Sequence, residues 1–454
     1  MQDINEFAPP LGLMYIKSYL KKYLNNNDDV FLYNFQTPEM PVLSDFINYL
    51  SSLKPNIVGV TVTTFFWYDV YIINKLIKEV LGSSVLLVGG GPHMWIYPHE
   101  SLTYGNFDII VQGEGEKIFL EIINRMKSNN NFCGLDGVLF RNNDGSIIEG
   151  NKPKIIDNLD LLPFPDFKDI SFGQHKLISN NSLPAAMILS SRGCKYNCTF
   201  CFNDGNKVRT RSPKNIVDEI IERKNAGYRY LYFMDANLTN SREHIINLCE
   251  EIINRDINMP WSCNARVNEV DAEIIGLMSK AGCQQISFGI ESGSQNILNE
   301  LNKGIHLEQA EKALSLARKS GITTVGLFMV GMPNETIDDA MKTINFAKKI
   351  NPDYASCYPF MPFPGTKLYY DALKDPKFGG DYFKGFIKKP EPNSILKTWP
   401  TKMSEKDIFY FQRKFYLKFY FRISKITQLL SHIYNFTDLF KKTIIATKML
   451  LKLN

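Results

Sequence analysis

Short apolar runs alternate with helix-like stretches through the first third of the chain. VFLYNF (30–35), NIVGVTV (56–62), SVLLVGG (84–90) and FDIIVQG (107–113) are short, β-branched and closed by Gly or polar residues, which predicts buried strands. Stretches 41–53, 68–81 and 115–127 between them carry helical periodicity. Such alternation predicts a doubly wound, Rossmann-like parallel sheet with helices on both faces. A polar connector, 131–183, carries the turn signal RNNDGS and the segment LLPFPDF. The alternation then resumes six times, with strands at 185–191, 228–234, 260–266, 283–290, 323–330 and 353–360. The intervening helices start near Pro213, Ser241, Asp271, Leu307 and Thr336. Six β/α units in about 180 residues predict a partial TIM barrel with its active site at the C-terminal strand ends. The last 80 or so residues read as a helical tail, Pro-rich at 389–400 and then aromatic and basic. The expected domains are therefore 1–130, the connector 131–183, the barrel 184–370 and the extension 371–454.

Composition narrows this α/β picture. With 454 residues, 44% apolar and 22% charged, the chain is neither disordered, collagen-like nor coiled-coil. The start, MQDINEFAPPLG, has no basic segment leading into an apolar one, so no secretory leader is expected. The longest apolar candidate, Ile57–Ile73, is interrupted by Gly59, three threonines and Asp69, so no membrane span is expected. The eight cysteines are accordingly expected in a reducing cytoplasm, where clustered Cys implies metal or catalysis before disulfide. The net charge of +5 is not spread evenly: from Lys402 onward 11 Lys and Arg face three Asp and Glu, which leaves the body at −3. That argues against nucleic acid as a partner.

The strongest chemical pattern is SSRGCKYNCTFCFNDG, which spaces Cys194, Cys198 and Cys201 as C-x3-C-x2-C. Three thiolates in a loop after a strand converge on one centre, either zinc or iron–sulfur. Structural zinc wants four protein ligands, and no further Cys or His lies within fifteen residues on either side. Three ligands and an open position fit a 4Fe-4S cluster whose fourth iron takes a ligand. The other five cysteines, Cys133, Cys249, Cys263, Cys283 and Cys357, are expected to be buried thiols.

This motif, with Phe200 before the third cysteine and six β/α units around it, resembles the radical S-adenosylmethionine (SAM) superfamily over about 184–370. The resemblance implies that the open iron chelates SAM, whose reductive cleavage yields a 5′-deoxyadenosyl radical. It also implies SAM contacts at Phe200, at Asp235 and Asn237 (in FMDAN, where the family has a Gly-Gly-Glu-Pro-like segment), at Glu291 and Ser292 (GIESGS) and at Gly331 (VGMPNET). Glu335 stands at a helix start, where an acid often only caps. Arg192, Lys195, Arg209, Arg211 and Arg266 are candidates to offset the thiolates or to bind the SAM carboxylate.

The first third carries a second resemblance. PPLGLMYIKSYL (9–20), GVTVTT (59–64), GGGPH (89–93) and GEGE (113–116) stand in the order of the cobalamin-binding domain that precedes the radical SAM domain in one large family. This implies cobalamin contacts at Thr61, Thr63, Gly89, Gly90, Gly91, His93 and Glu114. Glycines after a buried strand let backbone approach a flat macrocycle or its nucleotide tail, though GGGP alone fits many ligands. The Asp-x-His-x-x-Gly motif for a lower cobalt ligand is absent, and His93 is its conceivable substitute. The family's first strand and Asn-Pro-Pro turn, ahead of PPLGL, are also expected to be missing, which would expose the neighbouring strands.

In the tail, Phe411, Phe415 and Phe419 share one helical face beside Tyr416 and Tyr420. Two roles fit it: packing over the barrel, or peripheral attachment to an anionic membrane. Residues 422–454 add a second, weakly amphipathic basic segment. The family resemblance implies a cobalamin-dependent radical SAM enzyme that methylates an unactivated carbon of a small molecule, fed by a reductant such as flavodoxin or ferredoxin. Radical cyclisation on the same cofactors is the enzymatic alternative, and a cobalamin or iron–sulfur sensor the non-catalytic one. Tyr358, Phe360 and Phe363 are expected to line an apolar part of the pocket.

Overall fold

Three parallel strands, β1 (Ile57–Thr61), β2 (Leu86–Gly90) and β3 (Ile109–Val111), form the N-terminal sheet, and the antiparallel β4 (Val138–Arg141) and β5 (Ile147–Glu149) extend it in the order β1-β2-β3-β4-β5. The computed structural model describes residues 9–25, 27–34, 43–128, 131–142, 144–168, 183–202, 207–392 and 397–431. Val88, Ile109, Val111, Ile122, Phe132, Leu135, Val138 and Phe140 pack as one cluster, which is why runs so short hold as strands. Helices Leu43–Leu53, Trp67–Leu81 and Gly115–Ser128 stand where the periodicity predicts them.

One expectation fails here. Residues 30–34 form no strand, although VFLYNF has the composition of one, while Phe35 lies outside the described residues. In a doubly wound sheet the second strand pairs with the first, and no strand precedes it among the described residues. Tyr33 instead packs on the rings of Phe46 and Tyr49. The polar connector carries a short hairpin. Asn142 N donates to Ser146 O at 2.8 Å and Gly145 adopts φ +85°, closing the β4–β5 hairpin at the turn signal.

The second sheet holds six parallel strands in the order β13-β12-β11-β10-β9-β6: β6 (Ala185–Ile188), β9 (Tyr230–Phe233), β10 (Trp261–Ala265), β11 (Cys283–Glu291), β12 (Thr323–Val330) and β13 (Tyr354–Pro359). A separate two-stranded ribbon pairs β7 (Ser191–Arg192) with β8 (Arg209–Thr210). The helices begin where the sequence signals them. Ser212, Ser241, Asp271 and Thr336 each accept a backbone N–H of the following turn, so four of the five predicted starts carry a Ser, Asp or Thr side-chain cap.

The chain divides into two compact units, Met1–Gly193 with Asp204–Met234 and Gly379–Ile395, and Cys194–Asn203 with Asp235–Phe378 and Leu396–Asn454. Within the second, helix Glu405–Tyr420 lies along β13, an edge of the sheet. Phe411, Phe415 and Phe419 are buried, with Phe415 against Phe328 (centroids 5.2 Å apart), so the aromatic face serves packing. The hydroxyl of Tyr420 accepts from Ala355 N and donates to Ala355 O, and that of Tyr416 does the same at Cys357, at 2.8–3.2 Å. Gln412 Nε2 adds a donor to Cys357 O. Two cations of the following segment are also taken up internally: Arg422 donates to the Lys348 carbonyl and Lys425 to that of Pro352. Residues 432–454 of the second basic segment lie outside the described residues. Among the described residues no helix is long and apolar enough to cross a membrane.

Candidate active site

The cysteine loop begins just past β7, where Gly193 takes φ +94°. Thr199 N donates to Leu301 O and Leu368 N to Thr199 O, both at 3.0 Å, while Asn302 Nδ2 holds Asn197 O at 2.9 Å. A turn hydrogen bond from Cys201 N to Cys198 O (3.1 Å) folds the second and third cysteines toward each other. Cys201 is exposed by area, yet the dense packing about its sulfur raises its pKa by desolvation, with the neighbouring thiols of Cys198 and Cys194 adding to the effect. No trio of His, Cys, Asp or Glu is closed to metal-coordinating geometry among the described residues. Of the other cysteines, Cys249, Cys263, Cys283 and Cys357 are buried as expected, but Cys133 is exposed, because its loop lies at the surface.

Arg266, immediately after β10, reaches the loop: Nη1 lies 3.6 Å from Cys198 Sγ, and the guanidinium stacks 3.5 Å above the Tyr196 ring. Glu291 ends β11 at φ +67°, beside a register shift, and its Oε1 accepts from Lys303 Nζ at 2.6 Å. Lys303 Nζ lies 5.7 Å from the centre of the Phe200 ring. Asp235 is fully buried near His244, whose pKa is lowered by burial against the pull of that carboxylate. The Asn237 amide is used locally, by Glu269, Asn240 and Thr239. Ser292 pairs with Thr343 at 3.1 Å. Gly331 has φ +88°, and a Cβ there would meet the Ile408 side chain at 2.8 Å. Phe360 is buried, whereas Tyr358 and Phe363 are exposed.

Most of the predicted cations go elsewhere. Arg209 grips Glu114 with both terminal nitrogens (2.9 and 3.0 Å), Arg192 bridges Glu114 and Glu116, and Arg211 pairs with the buried Glu219. Lys195 pairs with Glu269.

At the carboxyl edge of the first sheet the three glycines do different work. A Cβ on Gly89 would strike Met94 at 2.8 Å, one on Gly91 (φ +95°) would strike Thr61 Oγ1 at 2.8 Å, and one on Gly90 would meet nothing within 4 Å. Only Gly90 therefore leaves open approach to backbone. Thr61 and Thr63 flank the turn out of β1, and Phe65 and Phe66 follow it about half exposed. His93 is fully buried, stacked on Trp67, with Nδ1 3.0 Å from Thr64 Oγ1 and no hydrogen-bond partner at Nε2. Burial pushes its pKa down to about 3, so the ring is neutral. Glu114 accepts from Arg192, from Arg209 and from Ile156 N (2.6 Å), which leaves little of the carboxylate for anything else.

Residues 188–347 match the Radical SAM superfamily, and residues 2–123 match the B12 binding domain. An uncharacterized methyltransferase of Pyrococcus horikoshii is 30% identical over 371 residues, which span 81% of this chain and 79% of that one. The chain belongs to the cobalamin-binding radical SAM family. An anaerobic magnesium-protoporphyrin IX monomethyl ester cyclase of Rubrivivax gelatinosus is also 30% identical, over 375 residues, 80% of this chain and 66% of its own. The fold is that of the radical SAM methyltransferase TsrM from Kitasatospora setae, whose structure has cobalamin and a 4Fe-4S cluster bound (TM-score 0.67, 20% identity, 80% of this chain and 72% of that one).

The family's cofactors are a 4Fe-4S cluster, SAM and cobalamin, and the donor sets fit them. Three cysteines outside any disulfide, with no fourth protein ligand among the described residues, suit a cluster with one open iron. The open backbone at Gly90 suits a flat ligand at the strand ends.

Lys303 has no counterpart among the sequence-derived candidates. An isolated Lys in LNKGI carries no local signal, and only the fold brings it to Glu291. Glu335 is better defined in the structure than in the sequence. It is fully buried, and its Oε2 accepts from Gly331 N and Met332 N (2.5 and 3.0 Å), which fixes the turn after β12. Burial pushes its pKa up to about 7, reinforced by Asp339 and opposed by those two N–H groups. The native state thus keeps a proton that the unfolded chain loses near pH 4.5, so stability falls as pH rises from there to 7. The loss attributable to this group is about 3 kcal/mol. Glu335→Gln is expected to flatten that slope in urea unfolding followed from pH 5 to 8, and an unchanged slope would refute the assignment.

Proposed function

We propose that this family member is a methyltransferase acting at an unactivated carbon of a small molecule, with the domains 1–130 for cobalamin, 131–183 as connector, 184–370 for SAM cleavage and 371–454 as extension. The observation that carries the reading is the three-cysteine loop, without a fourth protein ligand among the described residues, on a chain whose first third matches a B12 binding domain. When bound, the cluster and SAM supply a 5′-deoxyadenosyl radical and cobalamin carries the methyl group. Cys194, Cys198 and Cys201 hold the cluster. Glu291 offers its second oxygen to the two ribose hydroxyls while Lys303 occupies the first. Asp235, Asn237, Ser292, Gly331 and Phe200 shape the rest of the SAM site, and buried Glu335 keeps the Gly331 turn in place.

On the cobalamin side, Gly90 admits the ligand, and Gly89 and Gly91 keep the strand end and turn close-packed. Thr61, Thr63 and the exposed Phe65 and Phe66 line the approach, while His93 supports the turn from within the core. Radical cyclisation is the second reading, favoured by the equal identity to the Rubrivivax cyclase.

The test is anaerobic reconstitution followed by reductant and SAM. Both 5′-deoxyadenosine and S-adenosylhomocysteine are expected as products. No 5′-deoxyadenosine would refute radical chemistry, and 5′-deoxyadenosine without S-adenosylhomocysteine would select cyclisation.

A further inference from the structure

Four arginines are buried among the described residues: Arg209, Arg211, Arg223 and Arg266. Three of them have a carboxylate, Glu114 for Arg209 and Glu219 for Arg211 and Arg223. Arg266, 6% exposed, has none. Its contacts are the Tyr196 ring, Asn268 Oδ1 (3.3 Å from Nε), the Lys303 carbonyl on Nη2 and the Cys198 sulfur on Nη1. A guanidinium taken out of water is costly unless a negative charge meets it, and it keeps its proton throughout the accessible pH range. The ring face of Tyr196 offsets part of that cost. The neighbouring cation cannot complicate the balance, because Lys303 is already neutralised by Glu291. What remains is one positive charge without a carboxylate partner, whose Nη1 points at a cluster ligand.

We propose that Arg266 sets the reduction potential of the cluster. Its N–H donates to Cys198 Sγ, and its fixed charge stabilises the more negative, reduced cluster. Hydrogen bonds to ligand sulfurs and nearby charge are the protein's levers on such potentials. The step is a one-electron transfer from a low-potential donor of the flavodoxin or ferredoxin class. The donor loses the electron and the cluster gains it, with no bond made or broken. This differs from the SAM-carboxylate role that the sequence suggests for Arg266, since Nε and Nη2 are committed to Asn268 and Lys303.

The inference rests on the cluster reading, and one experiment separates the two. Wild type, Arg266→Met and Arg266→Lys are reconstituted anaerobically, assayed for iron and sulfide, and titrated redox-wise by electron paramagnetic resonance without SAM. For Arg266→Met the reduced-to-oxidised ratio at a fixed poise is expected to fall about tenfold, equivalent to a midpoint about 59 mV lower for a one-electron couple. Arg266→Lys, which keeps the charge but loses the planar donor, is expected to fall between, and carries the test if the Met variant does not load iron. Normal iron with a midpoint like wild type overturns the proposal, and a midpoint unchanged while SAM affinity drops tenfold assigns Arg266 to the carboxylate instead. Wild type that loads no cluster overturns the cluster reading itself.

Discussion

Cys198→Ala is expected to fold, to unfold in urea close to the wild-type midpoint, and to lose its cluster. Loss of outer partners of a metal ligand already lowers affinity or activity 10- to 100-fold, so removal of a ligand should cut 5′-deoxyadenosine formation by at least about 100-fold. The sulfur lies in a half-buried loop whose backbone is held by Leu301, Asn302 and Leu368, none of which depends on the thiol. Iron, sulfide and the visible absorption of the cluster, compared with Cys133→Ser as an exposed control, read the result. A cluster that survives in the Ala variant would mean that the three-cysteine assignment is wrong.

Glu114→Ala is expected to do its damage through stability. Two arginines and a backbone N–H converge on this carboxylate, and its side chain is only 13% exposed. Arg192 would keep Glu116, but Arg209, 7% exposed, would be left with the Ile156 carbonyl alone. Breaking a buried pair by removing one partner costs about 3–5 kcal/mol. In a unit of this size that corresponds to a midpoint lower by roughly 10 °C. Burial, the largest single influence, raises the pKa of Glu114, but the two guanidinium ions and the Ile156 N–H together lower it more, so it lies below the usual carboxylate value. Calorimetry of Glu114→Ala and Glu114→Gln, each with cobalamin titration, separates this role from direct ligation. A weakened corrin affinity at wild-type stability would restore Glu114 to the cobalamin site.

The elements that the sequence announces are those whose physics is local. Most strands of the second sheet are rich in β-branched or aromatic residues, and four of the helices between them open on a Ser, Asp or Thr whose side chain accepts a backbone N–H. The cysteine spacing is local too. What the sequence hides is long-range pairing. Arg192 and Arg209 stand next to the cysteines in the chain, yet their carboxylate is 78 and 95 residues away, and no pattern connects them. Lys303 and Glu291 meet only because a strand end and a turn converge. VFLYNF misleads for the same reason: its composition is right for a strand, but strand formation needs a partner. The hairpin of β4 and β5 was visible in its turn and obscured in its arms, which are four and three residues long.

The two tyrosines over β13 carry a consequence for how the protein behaves in a crowd of its own kind. A sheet edge with bare N–H and C=O groups is a template for another chain. Here Tyr416 and Tyr420 hold the outward-facing groups of Cys357 and Ala355 as a seventh strand would, but with side chains that offer no further ladder. Growth of the sheet stops at this edge. The aromatic helix, for which the sequence allowed either packing or membrane attachment, thereby covers a stretch of edge that a second chain could otherwise pair with.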